Sequence, residues 1–355
     1  MSAAPADVVR AFYSFDELIE SKHAEPQYVV DDLLIEGHHG IIAGPYASGK
    51  TFLGIQLSFS LATGMDFMGR KVRKPYRVVF IDLENGAAEI KSRVARLLGR
   101  TTVSEEQRYL LNNHWRYHDA TEPEDALYQL TLSPAGFDRL KTYVDEYEPE
   151  VIIIDCYGKA VPWEEKNEEL TKGLLTRIAH LQKSTSLRGG LFLQFHHPTK
   201  PGGDTIWPSL LDNPREWLGR VRGTGRLLDF SPIRLGFDTV SAGNIESAHV
   251  MNGFIRGQLS PLILERNEAG FFDLHSDKDF RVKSLFGRAA KQLELFTAIR
   301  DRLENQPHVT WTEIAKIPPA SGAKFHSNTI SETLRTARSN GLLRKNDDES
   351  YSLVG

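Results

Sequence analysis

Apolar residues along this chain fall into two alternating patterns: short solid runs, and longer stretches spaced three and four apart. His39-Gly40-Ile41-Ile42-Ala43, Tyr76 to Glu84, Val151 to Asp155 and Leu191 to Phe195 are the solid runs. Four β-branched residues in a row, Val151-Ile152-Ile153-Ile154, predict a strand covered on both faces, as in a parallel sheet. Between the runs, Phe52 to Ala62, Ala87 to Leu98, Pro134 to Tyr147 and Leu170 to Leu187 have helical spacing, and Ser133 and Pro134 suit a helix start. Strand and helix in alternation predict an α/β domain with a mainly parallel central sheet.

The flanks are less regular. Residues 1–38 read as a lead-in, with a short capped helix at Ser14 to Glu20 and an extended run from Tyr28 to Leu34. Asn112 to His118 reads as a strand and Thr121 to Asp125 as an acidic loop. Pro198 to Gly223 reads as a long loop, and later strands are expected at Pro232 to Phe237, Ala248 to Arg256 and Leu262 to Leu274. The polar run from Asp277 to Gly287 reads as a linker, dividing a domain at 1–280 from one at 281–355. Helical stretches at Ala289 to Leu303, Trp311 to Ile317 and Ser327 to Ser339 precede two short strands about an Asn346-Asp347-Asp348 turn, a winged helix-turn-helix pattern.

Composition narrows the classes. A net charge of −4 gives no global signal for nucleic acid, so any such contact must come from a local patch. The single cysteine, Cys156, excludes an internal disulfide framework and a four-cysteine zinc site and suits a reducing cytoplasm. No stretch approaches eighteen apolar residues and no basic leader opens the chain, so a cytoplasmic protein without a membrane partner is expected.

The chemistry concentrates at Gly44-Pro45-Tyr46-Ala47-Ser48-Gly49-Lys50-Thr51, a full G-x-x-x-x-G-K-[ST] match followed by Phe52. A strand precedes it and a helix follows, the context a phosphate-binding loop requires. The two glycines let backbone N–H groups turn inward, and the helix adds its positive end, making a concave anion site. Lys50 would reach the β- and γ-phosphates and the Thr51 hydroxyl would ligate Mg²⁺, so the expected ligand is ATP with magnesium.

Asp155, ending its apolar strand, suits the acid that holds the magnesium shell. Cys156 follows it, so no glutamate stands beside that aspartate to orient the attacking water; Glu84, at the end of the strand after the loop helix, fits that role, with Asp82 as base and Glu84 as helix cap the competing assignment. His196-His197 suits a γ-phosphate sensor, shared with Gln194; one cysteine and no third ligand at helical spacing argue against zinc.

Together GPYASGKT, the FIDLENG strand end with the later Arg93, VIIID, HHPTK at His196 to Lys200 and the Arg222-Gly223-Thr224 continuation resemble the RepA-type hexameric replicative helicases and the wider RecA-like ATPase group. The likeness runs from about Val29 to Leu274. It implies a RecA-like phosphate-loop core and a homo-oligomeric, hexameric ring whose sites are completed by a neighbour's arginine. It also assigns Glu84 as the catalytic glutamate and His197 as the sensor. Arg234 and Arg256 are the candidate fingers, although residues are inserted before Arg234, and Phe254 stands where related helicases often place a lysine.

In that group the segment from Pro198 to Gly223 would line a channel for single-stranded DNA. Lys200, Arg215 and Arg220 are suited to phosphates and Trp207 and Trp217 to base stacking, or else the tryptophans pack on the body. Arg335 and Arg338 share one side of the last helix with Thr329, while Ile330, Leu334 and Ala337 turn inward, so the module suits duplex DNA or, as readily, a protein contact. Three functions fit: an ATP-dependent replicative helicase or translocase of a plasmid, phage or integrated element; a recombination or repair ATPase that does not unwind; and a nucleotide-gated DNA-binding regulator.

Overall fold

The structure, a computed structural model, describes residues 13–20, 27–100, 103–121, 134–160, 168–183, 190–200, 208–223, 225–242, 245–268, 270–276, 280–286, 289–320, 322, 324–339 and 342–354. Ser14 opens helix α1 (Phe15–Ile19): its hydroxyl accepts from the Glu17 N–H while the Glu17 carboxylate accepts from the Ser14 N–H. Strands β1 (Tyr28–Val30) and β2 (Leu34–Ile35) pair antiparallel. Then come β3 (His39–Ala43), the glycine-rich loop and α2 (Lys50–Thr63), which stops at a left-handed Gly64.

The chain continues through β4 (Val78–Asp82), α3 (Ala87–Arg100), α4 (Glu105–His114), β5 (Trp115–Asp119), α5 (Pro134–Tyr147), β6 (Val151–Asp155), α6 (Tyr157–Ala160), α7 (Glu168–Lys183) and β7 (Leu191–His196). Beyond β7 lie α8 (Pro214–Leu218), α9 (Gly225–Asp229) and four further strands, β8 (Ile233–Ala242), β9 (Ile245–Ile255), β10 (Leu262–Arg266) and β11 (Phe272–Leu274). Helices α10 (Phe280–Phe286), α11 (Ala290–Asn305), α12 (Trp311–Ile314) and α13 (Ser327–Ser339) precede an antiparallel hairpin of β12 (Leu343–Lys345) and β13 (Tyr351–Leu353).

Among the described residues nine strands form one sheet in the order β11-β10-β9-β8-β3-β7-β6-β4-β5. From β8 to β5 every neighbouring pair is parallel, and β9, β10 and β11 add an antiparallel edge. This sheet matches the RecA-like phosphate-loop core that the motifs imply. Every residue of β3, β6 and β7 is buried because both faces are covered. One core holds Phe80, Ile153, Leu193, Phe195 and Leu235 with Leu53 and Leu57 of α2 and Ile90 of α3; the other holds Ile81, Ile152, Ile154 and Phe192 with Leu140 of α5 and Leu175 and Ile178 of α7.

Parallel strands place all their C-terminal ends on one edge, where the chemistry collects. The three C-terminal helices and the hairpin have their own core, with Phe296, Ile299, Ile314, Ile330, Leu334 and Ala337 inside. No helix among the described residues is long and apolar enough to cross a membrane.

Four segments differ from the sequence reading. Helix α4 runs to His114, so β5 starts three residues later than Asn112; Ser104 and Gln107 form a capping box that nucleates this helix. Leu262 to Leu274 is two strands, because Asn267 closes a turn, accepting from the Gly270 N–H through its carbonyl and from the Phe271 N–H through its side chain. The Asp277 to Gly287 run contains α10, whose Phe280 packs beside Ala248 and whose Phe286 enters the C-terminal core. Part of Pro198 to Gly223 is built into the body: Leu210, Leu211, Trp217 and Leu218 are buried there. Residues 201–207, Trp207 included, lie outside the described residues, as do Ser133, Thr224 and most of the acidic loop.

Close contact between α2 and the sheet depends on Gly54, where an added Cβ would sit 2.9 Å from the Phe195 ring and 3.0 Å from the Phe80 ring. Neither ring has room to yield in a filled core. Gly54→Val is expected to destabilise the domain by about 1–3 kcal/mol, the usual cost of overpacking. A urea midpoint unchanged from the native chain would show that α2 does not rest on these rings.

Candidate functional site

The loop after β3 is shaped by its backbone. The Gly44 N–H donates to the His196 carbonyl at 3.0 Å, anchoring the loop to β7. Gly49 has φ +94°, and a Cβ there would stand 2.8 Å from the Phe272 ring, so only glycine fits. Ala47 is also left-handed at φ 62°. Lys50 Nζ donates to the carbonyls of Gly44 (2.9 Å) and Pro45 (2.8 Å) and lies 3.2 Å from His197 Nδ1. Burial lowers the Lys50 pKa from its ordinary value, which sharpens its demand for an anionic partner.

Around the loop is a cavity of about 480 Å³ walled by Tyr46, Ala47, Gly49, Lys50, Thr51, Phe52, Glu84, Asn85, Arg93, Lys159, His197 and Arg266. Ser48 is buried beneath it, and Tyr46 is 82% exposed at its rim. The Phe52 ring carries the guanidinium of Arg266 at 4.6 Å and of Arg93 at 4.9 Å. Arg266 and Lys159 were not found from the sequence. One ends β10, the strand next to the sheet's edge, and the other sits in a four-residue helix, and neither belongs to a spacing pattern.

Thr51 Oγ1 donates to Asp155 Oδ2 at 2.6 Å, while Asp155 Oδ1 is buried without a hydrogen-bond partner. Burial raises the Asp155 carboxyl to about 6. A hydroxyl beside a buried, under-satisfied carboxylate fits a magnesium site: Thr51 would hold the ion and Asp155 its water shell, supplying charge to the phosphates.

Asp82 has a different task. Its carboxylate accepts from the backbone N–H of Glu84, Asn85 and Gly86 and from the Tyr117 hydroxyl, shaping the turn after β4. With its lone pairs so occupied Asp82 is the cap, and Glu84 is left facing the cavity. Glu84 Oε2 lies 3.7 Å from His197 Nε2, a contact that, with help from the Cys156 thiol, holds the Glu84 pKa down at about 2. It is ionised throughout the neutral range and serves better to orient a water than to hold its proton.

The paired histidines separate. His196 ends β7 fully buried, its Nε2 donating to the Arg222 carbonyl at 2.8 Å; burial pulls it down to about 4, so it stays neutral. Only His197 reaches the cavity. Gln194 is buried on the other face of β7, against Phe137 and Ile154, and does not line this cavity.

A second cavity of about 550 Å³ lies beyond Glu84 and His197, with Lys159, Lys200 and Arg222 in its wall. Trp217 is not a stacking platform: it is 0% exposed and its Nε1 donates to Asp238 at 2.9 Å. Arg215 covers the Phe254 ring and Arg220 pairs with Glu216 at 3.7 Å. Arg234, with its guanidinium over Phe254, and Arg256, donating to His38 Nε2 at 3.0 Å, do not line the phosphate cavity of their own chain. On α13, Arg335 and Arg338 are exposed as expected, with Ile330, Leu334 and Ala337 buried behind them.

Residues 5–203 match the family model described as an AAA domain, more than half of the chain and the whole of the loop, acid and histidine constellation. The chain belongs to the AAA domain family. A search among curated proteins finds no match. Among solved structures, the crystal structure of a KaiC-like protein from the archaeon Pyrococcus horikoshii OT3 is similar at 14% identity and a TM-score of 0.47, over 70% of this chain and 93% of that one. The matched AAA domain carries the phosphate loop, and a C-terminal module with its own core follows it.

The raised Asp155 pKa sets a trade between stability and binding in this AAA domain. A carboxyl whose folded pKa exceeds its unfolded value binds its proton more tightly when folded, so its ionisation costs stability as pH rises from about 4 to about 6. The full cost is on the order of 3 kcal/mol. Asp155→Asn is therefore expected to raise the melting temperature of the ligand-free protein at pH 7 more than at pH 4.5, and to weaken magnesium-dependent nucleotide binding. An equal change at both pH values would remove the buried charge as the cause.

Proposed function

We propose that this ATPase is a DNA motor, most closely of the RepA-type replicative helicase kind, working as a homo-oligomeric ring on single-stranded DNA. The observation that carries the reading is a chain of contacts from the phosphate loop to the basic segment. Lys50 and Glu84 both touch the His197 ring, and the His197 carbonyl accepts from the Arg222 N–H at 3.1 Å. Thr199 is tied to Arg220 in the same way, at 2.7 Å. A ring that answers to the γ-phosphate on one side is therefore fastened to Lys200, Arg220 and Arg222 on the other, the residues suited to phosphates of a single strand.

In this mechanism the loop and Lys50 bind the triphosphate, and Thr51 and Asp155 would hold a Mg²⁺ that would supply positive charge to its oxygens. Glu84 aligns a water on the γ-phosphorus. His197 exchanges Lys50 and Glu84 contacts according to whether that phosphate is present, moving the Pro198 to Gly223 segment. The transition-state charge calls for one more cation, which a ring supplies from Arg234 or Arg256 of the neighbouring copy. The C-terminal module, read as a winged helix, adds a duplex contact through Arg335 and Arg338; that feature favours the second reading, a nucleotide-gated DNA-binding regulator.

The test is steady-state hydrolysis with and without single-stranded DNA, together with strand displacement, for the native chain and Glu84→Gln. A motor should show DNA-stimulated turnover that falls about 10²–10⁴-fold in Glu84→Gln while nucleotide binding persists. Stimulation without strand displacement would make it a recombination-type ATPase. Negligible turnover with tight duplex binding would replace the motor by the regulator.

A further inference from the structure

Strands β4, β6 and β7 are neighbours in the sheet, and each is followed at once by a side chain with metal affinity: Glu84 two residues past β4, Cys156 directly after β6 and His197 directly after β7. One ligand atom from each lies within 4.8 Å of the other two. Donors bound to one tetrahedral zinc at 2.0–2.3 Å stand roughly 3.5 Å apart. The His197 Nε2 to Glu84 Oε2 distance of 3.7 Å already fits, and the thiol needs a shift of about 1 Å at most. Cavities open on both sides: Glu84 and His197 wall the phosphate cavity, and all three residues wall the one beyond it, which leaves room for water as a fourth ligand.

We propose that Glu84, Cys156 and His197 form an inhibitory site for a zinc-like transition-metal ion, separate from the magnesium position at Thr51 and Asp155. A thiolate and an imidazole select such an ion over magnesium, which prefers the all-oxygen side of the pocket. On binding, the Cys156 thiol gives its proton to solvent and the His197 ring carries its proton on Nδ1. Lys50 then keeps its two carbonyl acceptors and releases the ring. The captured metal takes the Glu84 carboxylate away from the attacking water and locks the His197 contact, so hydrolysis stops while the triphosphate loop remains intact. This rests on the role given to Glu84 above only for its effect on turnover; the binding itself does not.

The chain has one cysteine, so a thiolate-to-metal absorption band reports this site alone. Titration of the full-length, nucleotide-free protein with Co²⁺ is expected to give a near-ultraviolet thiolate band and visible bands of a tetrahedral ion at one per chain, both removed by Zn²⁺. Cys156→Ser should lose the near-ultraviolet band. Should that variant not fold, Glu84→Gln keeps the thiolate band but should bind Co²⁺ at least tenfold more weakly. In native protein with millimolar Mg²⁺, micromolar Zn²⁺ should lower ATP turnover at least tenfold, reversibly with chelator, and Cys156→Ser should resist it whatever its basal rate. Absence of the thiolate band, or equal Zn²⁺ sensitivity in native and Cys156→Ser proteins, would overturn the proposal. If the chain proves not to turn over ATP, the spectral titration still decides the site.

Discussion

The hydrogen bond between Thr51 and Asp155 joins two halves of the domain that the sheet keeps apart, since β7 lies between β3 and β6. It fixes the start of α2 against the end of β6 and so sets the depth of the phosphate loop. The bond also holds a carboxylate where water cannot reach it. The hydroxyl offsets only part of the cost of that buried charge, and a cation bound on the other side would offset the rest. Stability and ligand affinity are therefore coupled through one side chain.

The second constraint is that parallel strands end together. The residues after β4, β6 and β7 meet because those strands are hydrogen-bonded neighbours in register, with Asp82 opposite Asp155 and Ile154 opposite Gln194. The same edge brings Glu84, His197 and Cys156 into mutual reach. It explains how one imidazole can touch Lys50 and Glu84 while its own backbone carbonyl holds Arg222. In the proposed motor, a stiff sheet beneath and a hydrogen-bonded segment above would convert a small change at the phosphate into movement at the basic segment.

What the sequence revealed depended on whether a feature is local. VIIID is a buried parallel strand because its own residues require two covered faces, and the phosphate loop is legible because its geometry lies within eight residues. Trp217 misleads for the opposite reason: its neighbours in sequence are polar and basic, and its burial comes from β8, whose Gly236 makes room for its ring and whose Asp238 takes its N–H. The separation of Asp82 from Glu84 also needed three dimensions, since both are acids at one strand end and only the backbone turn decides which is consumed. The Glu84, Cys156 and His197 group was hidden because zinc patterns are sought at short spacing, and here the spacing is that of strand order.

Strand direction also limits where a charge-stabilising arginine can come from. Ile255 pairs with Ile233, and Ile233 lies beside Gly40 at the beginning of β3, whereas the phosphate loop leaves from Ala43 at its end. Arg256, bonded to His38 just before β3, is thus held at the edge of the sheet opposite its own triphosphate site. No side-chain rotation spans a strand of five residues, roughly 16 Å at the usual rise. If Arg256 meets a γ-phosphate, that phosphate belongs to another chain, which is what the proposed ring would require of it. The same reasoning is weaker for Arg234, which pairs with Ile41 in mid-strand and turns its guanidinium onto Phe254, where it is already engaged. Of the two, Arg256 is the exposed side chain, held by one surface hydrogen bond to His38, and the proposed shared site would draw on it by exchanging that bond.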